Sequence, residues 1–175
     1  MELKIRLGWI ARQILLVALV CPMIARASPT EHPLVAQHFF CNTGYTLDAC
    51  LQQIATLKTV VAKFPTEALG EWTWVLVRSQ DWKQLLKTLE LNPDTPAFTC
   101  LETKTTFIEE ALVAKVPGRA SELIARWRMG TTELLHTAVE HEMGHALCHT
   151  LREDKANHVA DDLERKRPLT CQAGL

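Results

Sequence analysis

The 175-residue sequence predicts an α+β fold, with several helices laid against a small sheet. Three observations carry that expectation. Apolar residues recur at three- and four-residue intervals through 46–63 and again through 133–149, the period of a helix with one face on a core. Between them, Trp72-Thr73-Trp74-Val75-Leu76-Val77 is an aromatic and β-branched run of strand length. No internal repeat and no linker-like stretch divides the chain, so the elements belong to one domain.

Composition agrees with a globular chain. Nineteen Lys and Arg face 20 Asp and Glu, and 47% of residues are hydrophobic. A formal charge of −1 offers no concentrated basic surface, which excludes nucleic acid as an expected partner.

The first 27 residues read as a cleaved secretory signal peptide. Lys4, Arg6 and Arg12 make a basic start, residues 13–25 carry no charge, and Ala25-Arg26-Ala27 ends the segment on small residues. The uncharged run is shorter than the roughly 20 apolar residues of a membrane span, and Pro22 interrupts it. Cleavage after Ala27 leaves 28–175 as a single exported domain, periplasmic or secreted, with no membrane attachment. That removal takes four basic residues and one acidic, so the mature charge is near −4.

Five cysteines remain in 28–175: Cys41, Cys50, Cys100, Cys148 and Cys171. In an exported chain they are disulfide candidates. Cys41 and Cys50 bracket the turn-like Asn42-Thr43-Gly44 and form the first expected pair. An odd number leaves at least one thiol outside any intrachain bridge. Cys171 is expected to pair with Cys148 or Cys100, the alternative being a thiolate ligand that holds a metal site latent.

The elements follow in order. Residues 28–45 look like an irregular lead-in, and the helix over 46–63 stops at Pro65. After the strand at 72–77, Ser79 is expected to cap a helix whose apolar stripe is Trp82, Leu85, Leu86 and Leu89. Residues 97–101 and 105–108 read as two short antiparallel strands, or as one strand and an extended entry to a helix. Residues 109–116 are helical by propensity, with Glu109-Glu110 on a solvated face. Short helical stretches follow at 121–129, a strong helix at 133–149 and a last helix at 153–166. Trp72, Trp74, Trp82 and Trp127 are assigned to the core.

The chemistry concentrates in His141-Glu142-Met143-Gly144-His145, a His-Glu-x-x-His pattern inside the strong helix. Residues four apart lie on one helix face about 6 Å apart along the axis, so the two imidazoles can converge on one Zn²⁺ at about 2.0–2.1 Å. Glu142 is turned about 100° from His141. From there its carboxylate reaches a water at the metal and serves as general base, then as acid to the leaving amine. Leu134, Leu135, Ala138, Val139, Ala146 and Leu147 make the helix apolar on most sides, and polar groups buried within it need a partner that a metal supplies.

A third ligand is expected on the next helix. Glu153-Asp154-Lys155-Ala156-Asn157 follows the motif after a short connection, and here the chain resembles the gluzincin branch of zinc metallopeptidases, in which a Glu-x-x-Ala-Asp/Asn segment follows His-Glu-x-x-His. That resemblance covers residues 133–163 and implies that Glu153 is the third ligand. It also implies that Asn157, one turn on, hydrogen-bonds a ligand histidine. The pattern more often has Asp where Asn157 stands. The longer metzincin signature would need Gly at Cys148 and His at Leu151, and fails at both. The short link between the helices is similar to compact minigluzincins. The implied fold is zincin-like, a small antiparallel or mixed sheet packed on an active-site helix and a following ligand-bearing helix, with substrate adding to the sheet edge as a strand. His149 lies too far along the helix to share the ion, and Asp154, Asp161 and His158 are weaker alternatives to Glu153. His136, on another face, is expected to be a hydrogen-bonded histidine.

The expected function is zinc-dependent cleavage of polypeptides using one catalytic Zn²⁺. The alternative is an exported, disulfide-stabilised zinc-binding protein without catalysis, or a helical interaction protein in which the motif is accidental.

Overall fold

A computed structural model describes residues 37–171. The expected signal segment, 1–27, and residues 28–36 lie outside the described residues. Four strands form one mixed sheet: β1 (Gln37–Cys41), β2 (Trp72–Val77), β3 (Ala97–Cys100) and β4 (Thr105–Glu109), in the spatial order β1-β2-β4-β3. β1 and β4 run parallel to β2, whereas β3 pairs antiparallel with β4 and forms an outer edge. Five α-helices accompany it: α1 (Leu47–Val61), α2 (Ser79–Thr88), α3 (Arg119–Trp127), α4 (Thr131–Leu147) and α5 (Glu153–Glu164). No helix among the described residues is long and apolar enough to cross a membrane.

β1 corrects the expectation of an irregular lead-in. Its five residues are too few to display a period, and its stability comes from β2. Gln37 lies opposite Trp72 and Cys41 opposite Leu76. The Gln37 amide donates to Gly70 O at 2.9 Å and accepts from Trp74 Nε1 at 2.9 Å. A Cys41–Cys50 disulfide then fastens the end of β1 to the first turn of α1. Thr46 caps that helix by accepting from Ala49 N at 3.3 Å.

The alternation of β2 divides the core. Trp72, Trp74 and Leu76 face α1 and α4, where Leu57, Val61, Leu134, Val139 and Met143 complete a buried cluster. Val75, with Phe98 and Phe107 of the neighbouring strands, faces α2, whose Trp82 and Leu86 are fully buried. Truncating such a core ring costs about 3–5 kcal/mol. Leu89, expected on the same stripe, is 41% exposed because α2 ends one residue before it. Trp127 is exposed to the same extent, on the outer face of α3.

Two further expectations are corrected. Residues 109–116 do not form an α-helix: Glu109 closes β4 and a single 3₁₀ turn, Glu110–Leu112, follows. Nor is Glu109-Glu110 a solvated face. Glu109 is fully buried and receives a two-pronged ion pair from Arg119, at 2.6 Å from Nε and 2.9 Å from Nη2. Glu110 accepts from Ser79 N at 3.1 Å, so it, and not the Ser79 hydroxyl, supplies the polar cap of α2. The cap position itself is Arg78.

α4 and α5 pack antiparallel and very close. A Cβ on Gly144 would stand 2.9 Å from Ala156 Cα and nearer still to its carbonyl oxygen, so only glycine allows this approach. The C-terminal strap is bound over the pair by a Cys148–Cys171 disulfide and by Thr170, whose hydroxyl donates to Asp162 at 2.7 Å.

Candidate metal centre

The end of α4 builds the site. His149 adopts a left-handed conformation (φ 44°), Thr150 N donates to His145 O at 3.1 Å and His149 N to Ala146 O at 3.4 Å. This paired closure is the Schellman arrangement, which terminates a helix and reverses the chain. The reversal lets Glu153 return beside His145 within eight residues. His149 thus acts in the backbone cap, and its side chain takes no part in the cluster.

Three side chains meet there. His141 Nε2 and His145 Nε2 are 3.1 Å apart, and the Glu153 carboxylate lies 3.0 Å from the first and 3.6 Å from the second. One ligand atom from each falls within 4.8 Å of the others, and this is the one such His/Cys/Asp/Glu group among the described residues. A tetrahedral ion at about 2.0–2.1 Å would separate its donors by about 3.3 Å. The observed spacings bracket that value.

Proton bookkeeping sharpens the fit. His145 Nδ1 is 2.8 Å from the Thr150 carbonyl oxygen, which can only accept. His141 Nδ1 is 2.9 Å from Asn157 Oδ1, also an acceptor. In each neutral ring Nδ1 therefore carries the hydrogen, and Nε2 turns a lone pair inward. Two lone pairs and a carboxylate converge with no donor among them. Burial is the main influence holding His141 below the usual imidazole range, with His145 next, so an added proton is disfavoured there. A cation satisfies all three groups at once.

Glu142, beside the first histidine, is 4% exposed. Burial pushes its carboxyl up to about 8, the Thr99 hydroxyl opposes that shift, and Glu153 adds to it. Thr99 is nevertheless not within hydrogen-bonding geometry of the buried Oε2, which has no partner. Exposure rises from 8% at His145 through 24% at His141 to 74% at Glu153, so the cluster opens to solvent on the α5 side.

The structure brings His141, His145, Glu153 and Asn157 together and sets the other candidates elsewhere. Asp154 pairs with Arg152 at 2.6 Å, and Asp161 with Arg165 at 2.6 Å. His158 is 2.9 Å from the Thr170 hydroxyl and His136 packs on Phe64, with ring centres 5.1 Å apart. Cys171 is joined to Cys148, and Cys100 is the free thiol among the described residues. Sequence reasoning missed Thr150, Gly144 and Thr99. Thr150 acts through its carbonyl, which leaves no side-chain signal. The glycine inside the motif did offer one, since a helix interior tolerates Gly at a cost of about 1 kcal/mol unless close packing requires it.

Comparison with known proteins leaves the centre to be read from its own chemistry: no family model, no curated protein and no solved structure matches the chain.

Proposed function

We propose that this chain is an exported zinc-dependent endopeptidase of gluzincin type, compact like the minigluzincins, with a zincin-like arrangement of sheet and helices. One observation carries the reading: three acceptors, His141 Nε2, His145 Nε2 and a Glu153 oxygen, converge at metal-ligand spacing with no donor between them. The site is built for a cation, and a two-imidazole, one-carboxylate set suits Zn²⁺ with a fourth position open. When bound, the ion supplies Lewis acidity toward a water and a scissile carbonyl.

The chain's own residues do the rest. Thr150 O and Asn157 Oδ1 hold the two rings in the ligating tautomer. Glu142 takes a proton from the attacking water and returns it to the amine nitrogen as the peptide bond breaks. That role needs the carboxylate, and positive charge at the neighbouring cluster favours the charged form against burial. Polypeptide substrate adds as a strand to the outer edge of β3, next to Glu142. Two disulfides support export, as they persist in oxidising compartments.

The test is hydrolysis of an unfolded, carboxymethylated protein by zinc-supplemented mature protein, with and without 1,10-phenanthroline. The wild type should cleave and the chelator should abolish cleavage. Glu142→Gln should keep its zinc and lose about 10²–10⁴-fold in rate. Chelator-insensitive cleavage, or an active Glu142→Gln, overturns the proposal. Stoichiometric zinc without any cleavage would favour the non-catalytic zinc-binding alternative.

A further inference from the structure

Two of the three donors stand at helix ends. His145 lies in the last turn of α4, which stops at Leu147, and Glu153 is the first residue of α5. A last turn leaves carbonyl oxygens without helical partners and frays first. Between the two helices, His149 keeps a left-handed backbone (φ 44°) although it carries a side chain. That conformation is unfavourable for any residue with a Cβ and persists only where its surroundings dictate it. On one side of His149 is Cys148, bridged to Cys171. On the other is Thr150, whose carbonyl oxygen is 2.8 Å from His145 Nδ1 and whose N–H donates to His145 O at 3.1 Å. The bridge therefore sits two residues from the group that holds a ligand ring.

The strap, residues 165–171, carries the far end of that bridge onto α5. Thr170 donates to Asp162 from its hydroxyl at 2.7 Å and from its backbone N–H at 3.3 Å, and Arg167 pairs with the same carboxylate at 2.9 Å. Asp162 is 3% exposed, so the anchor lies inside the fold. His158 Nε2 is 2.9 Å from the Thr170 hydroxyl oxygen. Because the Thr170 hydrogen goes to the carboxylate, His158 is the donor in that pair. The helix so anchored also brings Glu153, and Asn157 at 2.9 Å from His141 Nδ1.

We propose that the C-terminal strap is a clamp on the metal centre. Cys171 and Thr170 are positioning residues that fasten the end of α4 to α5 and so set how firmly His145 and Glu153 hold a cation. Neither belongs to the donor set. Their effect runs through Cys148, His149 and Thr150 on one side and through Asp162 on the other. Groups that fix the orientation of ligands before the ion arrives raise its affinity without touching it. The consequence for the metal rests on the metal centre of the proposed function; the fastening of the α4 end does not.

The test pairs zinc affinity with amide exchange in the mature protein. Affinity for Zn²⁺ is read by competition with a chromophoric chelator at neutral pH. Cys148→Ser with Cys171→Ser should weaken it about 10-fold. Thr170→Val, which keeps the bridge and removes the hydroxyl, should weaken it less. Cys41→Ser with Cys50→Ser, which opens the other bridge, should leave it unchanged. In metal-free protein, NMR-detected hydrogen exchange at the Thr150 N–H should quicken about 10-fold in the Cys148/Cys171 serine pair. The Asn42 N–H, which donates to Leu76 O at 2.8 Å, is the control and should quicken less. Should the serine pair fail to fold, Thr170→Val carries the test through the same two readouts. Wild-type zinc affinity in the folded serine pair overturns the clamp, as does an equal loss when the Cys41–Cys50 bridge is opened. Unchanged exchange at Thr150 overturns it too. A wild-type chain that binds no zinc but shows the Thr150 effect would sink the metal reading and leave the fastening of α4 standing.

Discussion

At the residue scale, α4 carries two buried carboxyl groups, one on either side of His141. Glu140 is buried, one of its oxygens has no partner, and its carboxyl is pushed up to about 7, chiefly by burial and further by Glu164 and Asp161. Because the folded value lies above the ordinary carboxyl value of 4.5, the unfolded chain releases the proton first. The cost of folding is therefore absent below pH 4.5, grows as pH rises, and is complete above about 7. Glu140→Gln should leave stability unchanged at pH 4 and raise it by about 1–3 kcal/mol at pH 8. Urea unfolding of both proteins at the two values checks this, and equal gains at both would refute the assignment. Glu142 has a comparable burden, which the proposed catalysis would use. Its place in a His-Glu-x-x-His pattern was legible from sequence, whereas Thr99, whose hydroxyl opposes the rise of its carboxyl, comes from a strand some forty residues earlier and no spacing rule connects the two.

At the scale of elements, the site depends on how closely α5 can lie on α4. Gly144 meets the backbone of Ala156, the residue before Asn157, directly. Gly144→Ala should thus cost stability even though alanine is the better helix former by about 1 kcal/mol. The expected result is a loss of about 1–3 kcal/mol in chemical denaturation with weakened zinc binding, as for overpacking elsewhere. A gain in stability with zinc affinity intact would contradict the close approach. The same scale shows what periodicity can and cannot deliver. The helices at 47–61, 131–147 and 153–164 were legible because long amphipathic or apolar stretches repeat their signal several times. β1 was not, because five residues carry too little pattern. Glu109 misled because two adjacent acids look solvated until Arg119, ten residues on, is seen to neutralise the first inside the core.

For the whole molecule, the two disulfides work at opposite ends of the described chain. Cys41–Cys50 spans nine positions and fixes an edge strand to its helix. Cys148–Cys171 spans 23 and ties the C-terminal strap to the end of α4, where His145 and Thr150 are set. Loop-closure entropy makes the longer bridge worth about 3 kcal/mol and the shorter one less. The paired change Cys148→Ser with Cys171→Ser should lower denaturant stability by that amount, and no loss would show that the strap is held by Thr170 and by Arg167, which pairs with Asp162 at 2.9 Å, without the bridge. The first bridge followed from sequence proximity. The second was one of two options, since nothing in the sequence separates Cys100 from Cys148 until Cys148 is placed at a helix end near the strap.

The measurement nearest the centre of this account is zinc bound per chain, determined by elemental analysis of mature protein dialysed at neutral pH against trace zinc. Wild type and Glu142→Gln should each retain one ion, whereas Glu153→Ala should retain almost none, because two imidazoles alone leave the tetrahedral set incomplete. A wild-type chain without zinc, or a Glu153→Ala variant that holds it as firmly as wild type, would contradict the three-donor site on which the rest is built.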